Sequence, residues 1–405
     1  MTLRRRFVPV LLAASVGLGA AACSGSTSTG STAVLESTVT VAGVTTSAAA
    51  TTATTLAPAA PTTAPAPPST TAPPTTVPTT VAAPTADVFP GATWATGELP
   101  AGVDKAVIDA AVDTAFGAPD AQARVRSIVV VHGGKIVYER YHPLDSATTI
   151  MDSFSVAKSF TSTVIGLLIG DGKLPAVDQP APVAAWSDPS DPRHAITIQN
   201  LLNMASGLSW TEDYNPGSPP IEMMGAKVAS DYVASQPLEA APGTKFEYST
   251  GTTAILAGLA TDALGGPDQL DTYIHQRLLD PIGITSTQFL RDASGRWFGG
   301  LGANSTSRDF ARFGLLFLND GVWNGTRLLP EGWVAYVHTP SATNATYGAQ
   351  WWMLHPDSFE ARGLFGQIIL VSPKHDDVVV INTTQGGDAD TLIAAVYAEL
   401  SKATA

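Results

Sequence analysis

A serine and a lysine three residues apart are the pair in this sequence best suited to nucleophilic chemistry. They are Ser155 and Lys158, and they open an apolar stretch, 160–168, that has the periodicity of a buried helical face. On a helix, this spacing places both side chains on one side, one turn apart. A serine hydroxyl attacks well only when a base takes its proton, and burial can lower the pKa of a lysine for that task. The alternative is a surface serine and a solvated lysine on an ordinary helix.

The elements that would position this pair form an α+β pattern. Ser153 is the predicted N-cap of the helix, and Gly170 and Gly172 end it. Upstream, Gly133-Gly134 separates two strand-like runs and predicts a hairpin. Strand-like runs return near the C-terminus, so we expect one antiparallel sheet built from both chain ends, flanked by helices, with a mainly helical subdomain. The predicted strands are 127–132, 135–141, 367–371 and 377–382, and the predicted helices are 104–116, 198–205, 221–234, 252–264, 267–279, 305–319 and 390–400.

Composition excludes several classes of function. The 405 residues carry 35 acidic and 22 basic side chains, so a nucleic acid partner is not expected. Cys23 is the one cysteine, which excludes a disulfide framework and a thiolate metal cluster. The sequence has no His-Glu-x-x-His zinc helix, phosphate loop or Gly-x-Ser-x-Gly elbow. We expect chemistry without a metal or an organic cofactor.

Residues 1–22 read as an export signal. Arginines at 4–6 precede an apolar stretch, 7–18, and small residues lead directly into Cys23. The arrangement resembles a bacterial lipoprotein signal, although Ala20 replaces the usual leucine. By that resemblance Cys23 would be lipidated and would begin the mature chain; the alternative is an ordinary cleaved signal followed by a coincidental cysteine. We therefore expect an exported protein, anchored by lipid to the cell membrane on its extracytoplasmic side.

A linker, 23–87, follows the signal. It is rich in Thr, Ala and Pro, has no aromatic residue, and carries a single charge, Glu36, before Asp87. Such a composition cannot bury enough apolar surface to fold, so we expect a disordered tether. The remaining residues, 88–405, have a length that suits one large domain or two interleaved subdomains.

From about residue 128 to residue 400 the chain resembles the serine β-lactamase and penicillin-binding-protein superfamily. The resemblance rests on three motifs: S-x-x-K at Ser155, the hairpin Val-His-Gly-Gly-Lys at 131–135, and the segment Leu-Leu-Asn-Met-Ala-Ser-Gly-Leu at 201–208. Within the superfamily, the chain is most similar to class C-like esterases and to aminohexanoate-dimer (nylon-oligomer) hydrolases. This implies a β-lactamase/transpeptidase-like fold, with Ser155 as the nucleophile and Lys158 as a group that takes its proton.

Tyr248 begins a second motif of the superfamily. Tyr248-Ser249-Thr250 stands where the class C-like branch has Tyr-x-Asn, whose tyrosine relays a proton to the leaving group. A phenol titrates near 10, but a neighbouring ammonium favours its ionised form, so Tyr248 is either the base itself or a shuttle coupled to Lys158. The alternative is a structural tyrosine that hydrogen-bonds a loop. Because Thr250 replaces the asparagine, recognition of a substrate amide by this side chain is not implied.

A third motif, 361–364, stands where β-lactamases have Lys-Thr-Gly. The resemblance implies that the N–H of Leu364 joins that of Ser155 as an oxyanion hole, and that Gly363 lets the backbone approach substrate closely. The lysine that would meet a β-lactam carboxylate is replaced by Ala361. Arg362 could supply a cation to the substrate, or it could point away, because side chains alternate along a strand.

The loop 210–217 is aromatic and acidic, and a similar loop covers the substrate in the nylon-oligomer branch. Tyr214 is the candidate for substrate contact, and the alternative is a surface loop that caps the core. Taken together, the resemblance implies a serine hydrolase that cleaves a small carboxylic ester or linear amide through an acyl-enzyme on Ser155. The alternatives are a β-lactamase, a D-Ala-D-Ala carboxypeptidase-like enzyme, or an inactive envelope binding protein.

Overall fold

A computed structural model of the chain describes residues 88–120, 122 and 124–403. The predicted export signal, the lipidation site Cys23 and the linker 23–87 lie outside the described residues. The described part covers almost all of the predicted domain 88–405. Within this part, no helix has both the length and the apolar character needed to cross a bilayer.

The chain folds around one five-stranded antiparallel sheet. Its strand order is β2-β1-β9-β8-β7, and two-stranded ladders, β3 with β4 and β5 with β6, lie apart from it. The strands are β1 Val125–His132, β2 Lys135–Tyr141, β3 Gln288–Phe289, β4 Ala303–Asn304, β5 Val322–Trp323, β6 Thr326–Arg327, β7 Phe359–Gly363, β8 Gln367–Ser372 and β9 Asp377–Thr383. Strand β1 pairs with β9 from Val125 opposite Thr383 to His132 opposite Asp377. The prediction of one sheet built from both chain ends is confirmed.

Ten α-helices flank the sheet or form the helical part of the molecule described here. They are α1 Lys105–Phe116, α2 Ala157–Gly170, α3 Ile198–Leu202, α4 Pro219–Gly225, α5 Ala229–Ala234, α6 Thr250–Leu264, α7 Pro267–Ile274, α8 Ser307–Leu318, α9 Trp333–Val337 and α10 Ala389–Leu400. The prediction of a single helix over 221–234 is wrong. After Gly225 the backbone of Ala226 is extended (ψ 149°), so α4 and α5 are separate. The predicted helix 267–279 ends as a π-helical turn, His275–Leu279.

The two faces of the sheet bury two separate apolar cores. On one face, α1 and α10 pack over Val130, Ile368 and Val379. On the other, α2 and α8 pack over residues of the opposite parity, among them Val378 and Val380. Lys158 lies on α2 and Ser155 lies in the turn directly before it, so the second core is the one that holds these two residues in place.

Candidate active site

Ser155 lies in a tight turn where the chain enters α2. Phe154–Val156 form one turn of 3-10 helix, Phe154 has a positive φ of 43°, and α2 follows directly. The predicted N-cap role of Ser153 is wrong, because its side chain makes no cap hydrogen bond. Its Oγ instead accepts a hydrogen bond of 2.7 Å from the N–H of Ala303 in β4. This bond ties the turn that carries Ser155 to a neighbouring strand.

Lys158 is fully buried and its ammonium is held on three sides. Its Nζ donates to Ser155 Oγ at 3.0 Å, to Thr250 Oγ1 at 2.8 Å and to the carbonyl of Gly300 at 2.9 Å. Burial lowers the pKa of Lys158 to about 8, and the charge of Glu212 opposes that change. The amine is therefore mostly protonated near pH 7, but its neutral form is far more populated than that of an ordinary lysine. The structure brings Ser155 and Lys158 together, as the S-x-x-K spacing predicts.

Tyr248 lies directly beside this pair. Lys158 Nζ is 4.8 Å from the centre of the Tyr248 ring, and the ring packs against Trp352 and Tyr347 at 5.5 and 6.1 Å. Burial raises the pKa of Tyr248 far above its ordinary value, and a hydrogen bond with Ser155 offsets only part of the rise. The phenol is thus protonated at neutral pH. Of the two roles left open by the sequence, this environment favours the shuttle over the base.

Sequence reasoning missed one member of this site, the carboxylate of Glu212. Its Oε2 accepts from Trp210 Nε1 at 2.7 Å and from the N–H of Thr250 at 2.8 Å. Its Oε1 accepts from the hydroxyls of Tyr214, at 2.9 Å, and Thr250. Burial opposes ionisation, but the charge of Lys158 and these hydrogen bonds leave the pKa of Glu212 below its ordinary value. The available signal was an acidic residue between two aromatic residues of the loop 210–217.

Tyr214 stands at the outer side of the same group. Its hydroxyl is 3.4 Å from Thr250 Oγ1 as well as bonded to Glu212, and 44% of the residue remains exposed. Its ring is therefore accessible to a bound molecule at a point that also contacts the buried part of the site. Contact of Tyr214 with substrate stays a prediction.

Arg362 does not supply a cation to this site. Its guanidinium binds Glu360 at 2.8 Å and Asp390, at the start of α10, at 2.7 Å. Arg362 is paired with Ile368, which belongs to the core under α1 and α10, whereas Ala361 faces the core of α2. The predicted contact of Arg362 with substrate does not fit this geometry, because strand alternation turns its side chain away.

The end of β7 packs against the turn that carries the serine. A Cβ on Gly363 would lie 2.3 Å from the carbonyl oxygen of Ser153, so only glycine allows this approach. Just beyond it, the Phe365 ring meets the Phe154 ring edge to face at 5.3 Å. Leu364 lies between these two contacts and is 47% exposed. Its backbone is therefore held beside the turn of Ser155.

The assembled groups are those that acyl transfer requires: a hydroxyl, an amine of lowered pKa, a protonated phenol and a carboxylate that faces the amine across one hydroxyl. Among residues 88–120, 122 and 124–403, no group of three or more His, Cys, Asp or Glu side chains could hold a metal ion.

Comparison with known proteins places this chain in a family. The chain is similar to a 6-aminohexanoate-dimer hydrolase of Paenarthrobacter ureafaciens, with 26% identity over 298 residues, 65% of this chain and 74% of that protein. A candidate 6-aminohexanoate-dimer hydrolase from Bacillus anthracis has a similar structure (TM-score 0.62, 23% identity, 76% of this chain and 86% of that one). A penicillin-binding protein from Bacillus halodurans shares the fold at a TM-score of 0.56 and 18% identity, over 72% of this chain and 99% of its own. The model of the Beta-lactamase family matches residues 106–403, so this chain belongs to the beta-lactamase family and is a serine hydrolase of that fold.

Proposed function

We propose that this hydrolase cleaves a small carboxylic ester or linear amide through an acyl-enzyme on Ser155. The observation that carries the proposal is the contact of 3.0 Å between Lys158 Nζ and Ser155 Oγ, made by a lysine whose pKa burial lowers to about 8. The neutral amine can take the serine proton itself, so no histidine is needed as the base.

The reaction would proceed in two halves. In the first, Ser155 Oγ bonds to the substrate carbonyl carbon while its proton passes to Lys158, and the N–H groups of Ser155 and Leu364 would hold the oxyanion. Tyr248 would then protonate the leaving alcohol or amine as its bond to the acyl carbon breaks, and would recover a proton from Lys158. In the second half, water attacks the acyl carbon and gives a proton to the same groups. The bond from that carbon to Ser155 Oγ then breaks, the serine oxygen takes the proton back, and the acid leaves.

The third motif supports the choice of substrate. A β-lactam or a D-Ala-D-Ala peptide carries a carboxylate close to the bond that is cleaved, and here Ala361 stands at the lysine position while Arg362 is bound to Glu360 and Asp390. A carboxylate left unpaired in such a site costs several kcal/mol of binding. The relative's substrate, the 6-aminohexanoate dimer, is a linear amide whose carboxylate is several methylenes away from the scissile bond, where it can stay in water.

We therefore expect measurable hydrolysis of p-nitrophenyl acetate and butyrate, and a kcat/KM for nitrocefin lower by at least about a hundredfold, a difference of about 3 kcal/mol. Initial rates of the purified domain 88–405 on the three substrates would measure this, with the linear 6-aminohexanoate dimer as a parallel amide substrate. Comparable efficiency on ester and nitrocefin would favour a β-lactamase instead. The absence of both turnover and fluorophosphonate labelling would favour an inactive binding protein.

We further propose that the enzyme is exported and anchored through Cys23. The support is the sequence alone: a basic and apolar leader, 1–22, a cysteine at its end and the tether 24–87. Cys23→Ser should move the protein from the membrane fraction to the soluble fraction, because the thioether to diacylglycerol needs the thiol, whereas Ser24→Ala should remain with the membrane. Membrane retention of the Cys23→Ser protein after a carbonate wash would contradict lipidation.

A further inference from the structure

The carboxylate of Glu212 is an ionised group next to the catalytic lysine that the mechanism above leaves without a task. Four hydrogen bonds fix it: Trp210 Nε1 and the N–H of Thr250 donate to Oε2, and the hydroxyls of Tyr214 and Thr250 donate to Oε1. All four donors come from the loop 210–217 or from the start of α6. A carboxylate held in this way cannot turn towards solvent, so its negative charge stays at a fixed position inside the site.

That position is next to Lys158. The hydroxyl of Thr250 accepts a hydrogen bond of 2.8 Å from Lys158 Nζ and donates its own proton to Glu212. A hydroxyl has a single proton, so accepting from one side and donating to the other fixes the direction of both bonds. Lysine, threonine and glutamate thus form one continuous chain in which the hydroxyl is the sole link.

The charge of Glu212 matters because of what surrounds Lys158. The side chains and carbonyl that face its Nζ are Ser155, Tyr248, Thr250 and Gly300, and none of them is charged. In the next layer, burial keeps the phenols of Tyr214 and Tyr347 protonated by raising the pKa of each. When Lys158 takes the serine proton, the ammonium forms in a buried, uncharged setting of low dielectric constant, where the attraction of an opposite charge is strongest.

We propose that Glu212 is a positioning residue: through Thr250 it fixes Lys158 against Ser155 and supplies the counter-charge for the ammonium formed when Lys158 takes the serine proton. This inference rests on the proposed function. It also accounts for threonine at position 250, where the related motif has asparagine, because a threonine hydroxyl can bridge the lysine and a carboxylate.

The direct test is Glu212→Gln, which removes the charge and keeps the size. Glutamine can still accept from Trp210 and from the N–H of Thr250 through its oxygen, and the hydroxyls of Tyr214 and Thr250 can turn to accept from its NH2. In the wild-type protein, kcat/KM for p-nitrophenyl butyrate should rise with pH through a midpoint near the pKa of Lys158, about 8. Because the carboxylate raises that pKa, its removal should move the midpoint down by about one unit and lower the plateau about tenfold or more, with KM nearly unchanged.

A second pair of variants tests the hydroxyl that links Lys158 to Glu212. Thr250→Val removes the hydroxyl at nearly constant volume and should lower kcat by about 10- to 100-fold, with the midpoint again shifted down. Thr250→Ser keeps the hydroxyl and should restore both. Glu222→Gln makes the same chemical change on an exposed side chain of α4 and should leave the profile as in the wild type.

The outcomes distinguish the two proposals. If the wild-type protein takes no fluorophosphonate on Ser155 and cleaves no ester, the proposed function fails. If the wild type is labelled but Glu212→Gln keeps the wild-type midpoint, Glu212 merely supports the packing of its loop and this inference fails. Thermal unfolding checks that each variant is folded; should Glu212→Gln not fold, a wild-type midpoint in Thr250→Val would overturn the inference on its own.

Discussion

Ser155→Ala is expected to lower kcat/KM for p-nitrophenyl butyrate by at least about 10⁴-fold, because no acyl-enzyme can form without the hydroxyl. The fold should survive the change. Ser155 Oγ accepts a hydrogen bond from Lys158 Nζ and shares another with Tyr248, so the hydroxyl contributes hydrogen bonds rather than packing. We expect a loss of at most about 1–2 kcal/mol in the free energy of unfolding. Stopped assays at high enzyme concentration and a thermal melt would measure the two quantities.

Ser159→Ala is the matched control for this experiment. Ser159 lies one turn further along α2, is buried, and donates to the carbonyl of Gln350 at 2.8 Å, so its removal should affect stability and leave most of the activity. A fluorophosphonate adduct should map to the peptide that contains Ser155 in the wild type and in Ser159→Ala. Turnover by Ser155→Ala at the wild-type rate would show that the nucleophile is another residue.

Lys158→Met and Tyr248→Phe should each lower kcat by about 10³-fold, and the double variant should be only slightly worse than the poorer single variant. The reason is that both side chains serve one proton transfer: the amine takes the serine proton and the phenol carries it to the leaving group. Methionine keeps most of the volume of Lys158, although Thr250 Oγ1 and the Gly300 carbonyl lose a donor. Single-turnover rates of the four proteins complete the double-mutant cycle.

Tyr347→Phe controls for the loss of a phenol in this aromatic group. Tyr347 is buried, and its ring meets that of Tyr248 nearly at right angles. We expect Tyr347→Phe to keep most of the activity, because its hydroxyl has no place in the proton path. Losses that add in the Lys158→Met and Tyr248→Phe double variant would contradict a shared relay.

The parts of the site that sequence predicts are those fixed by local spacing. Ser155 lies in the 3-10 turn that leads directly into α2 and Lys158 lies in the first turn of α2, so a spacing of three residues is enough to bring them into contact. For Arg362, strand alternation predicts only that the side chain faces one side of the sheet or the other. Its pairing with Ile368 shows that it faces away from the site. The N-cap role of Ser153 could not be judged locally, since its hydroxyl is engaged by Ala303, about 150 residues away in the chain.

Glu212 shows the limit of such reasoning most directly. Its link to Thr250 spans 38 residues and its link to Lys158 passes through that hydroxyl, so no spacing in the sequence connects the three. Only the packing of α6 against α2 brings the loop 210–217 to the lysine. The pKa of Tyr248 could not be predicted for the same reason. A nearby ammonium and burial act in opposite directions, and the balance depends on how closely Trp352 and Tyr347 surround the ring.

The pairing of β1 with β9 makes the last part of the chain a condition for folding. Arg124 and Thr384 are hydrogen-bonded across 260 residues, so the centre of the sheet closes a very long loop. Loop closure on this scale is an entropic barrier that slows folding, and the complete sheet cannot form before β9 has left the ribosome. If the chain is kept extended until it is complete, no early folded intermediate that contains this sheet can form. Proteins cut short before β9 should accordingly remain unfolded and be degraded, however intact their Ser155 and Lys158 are.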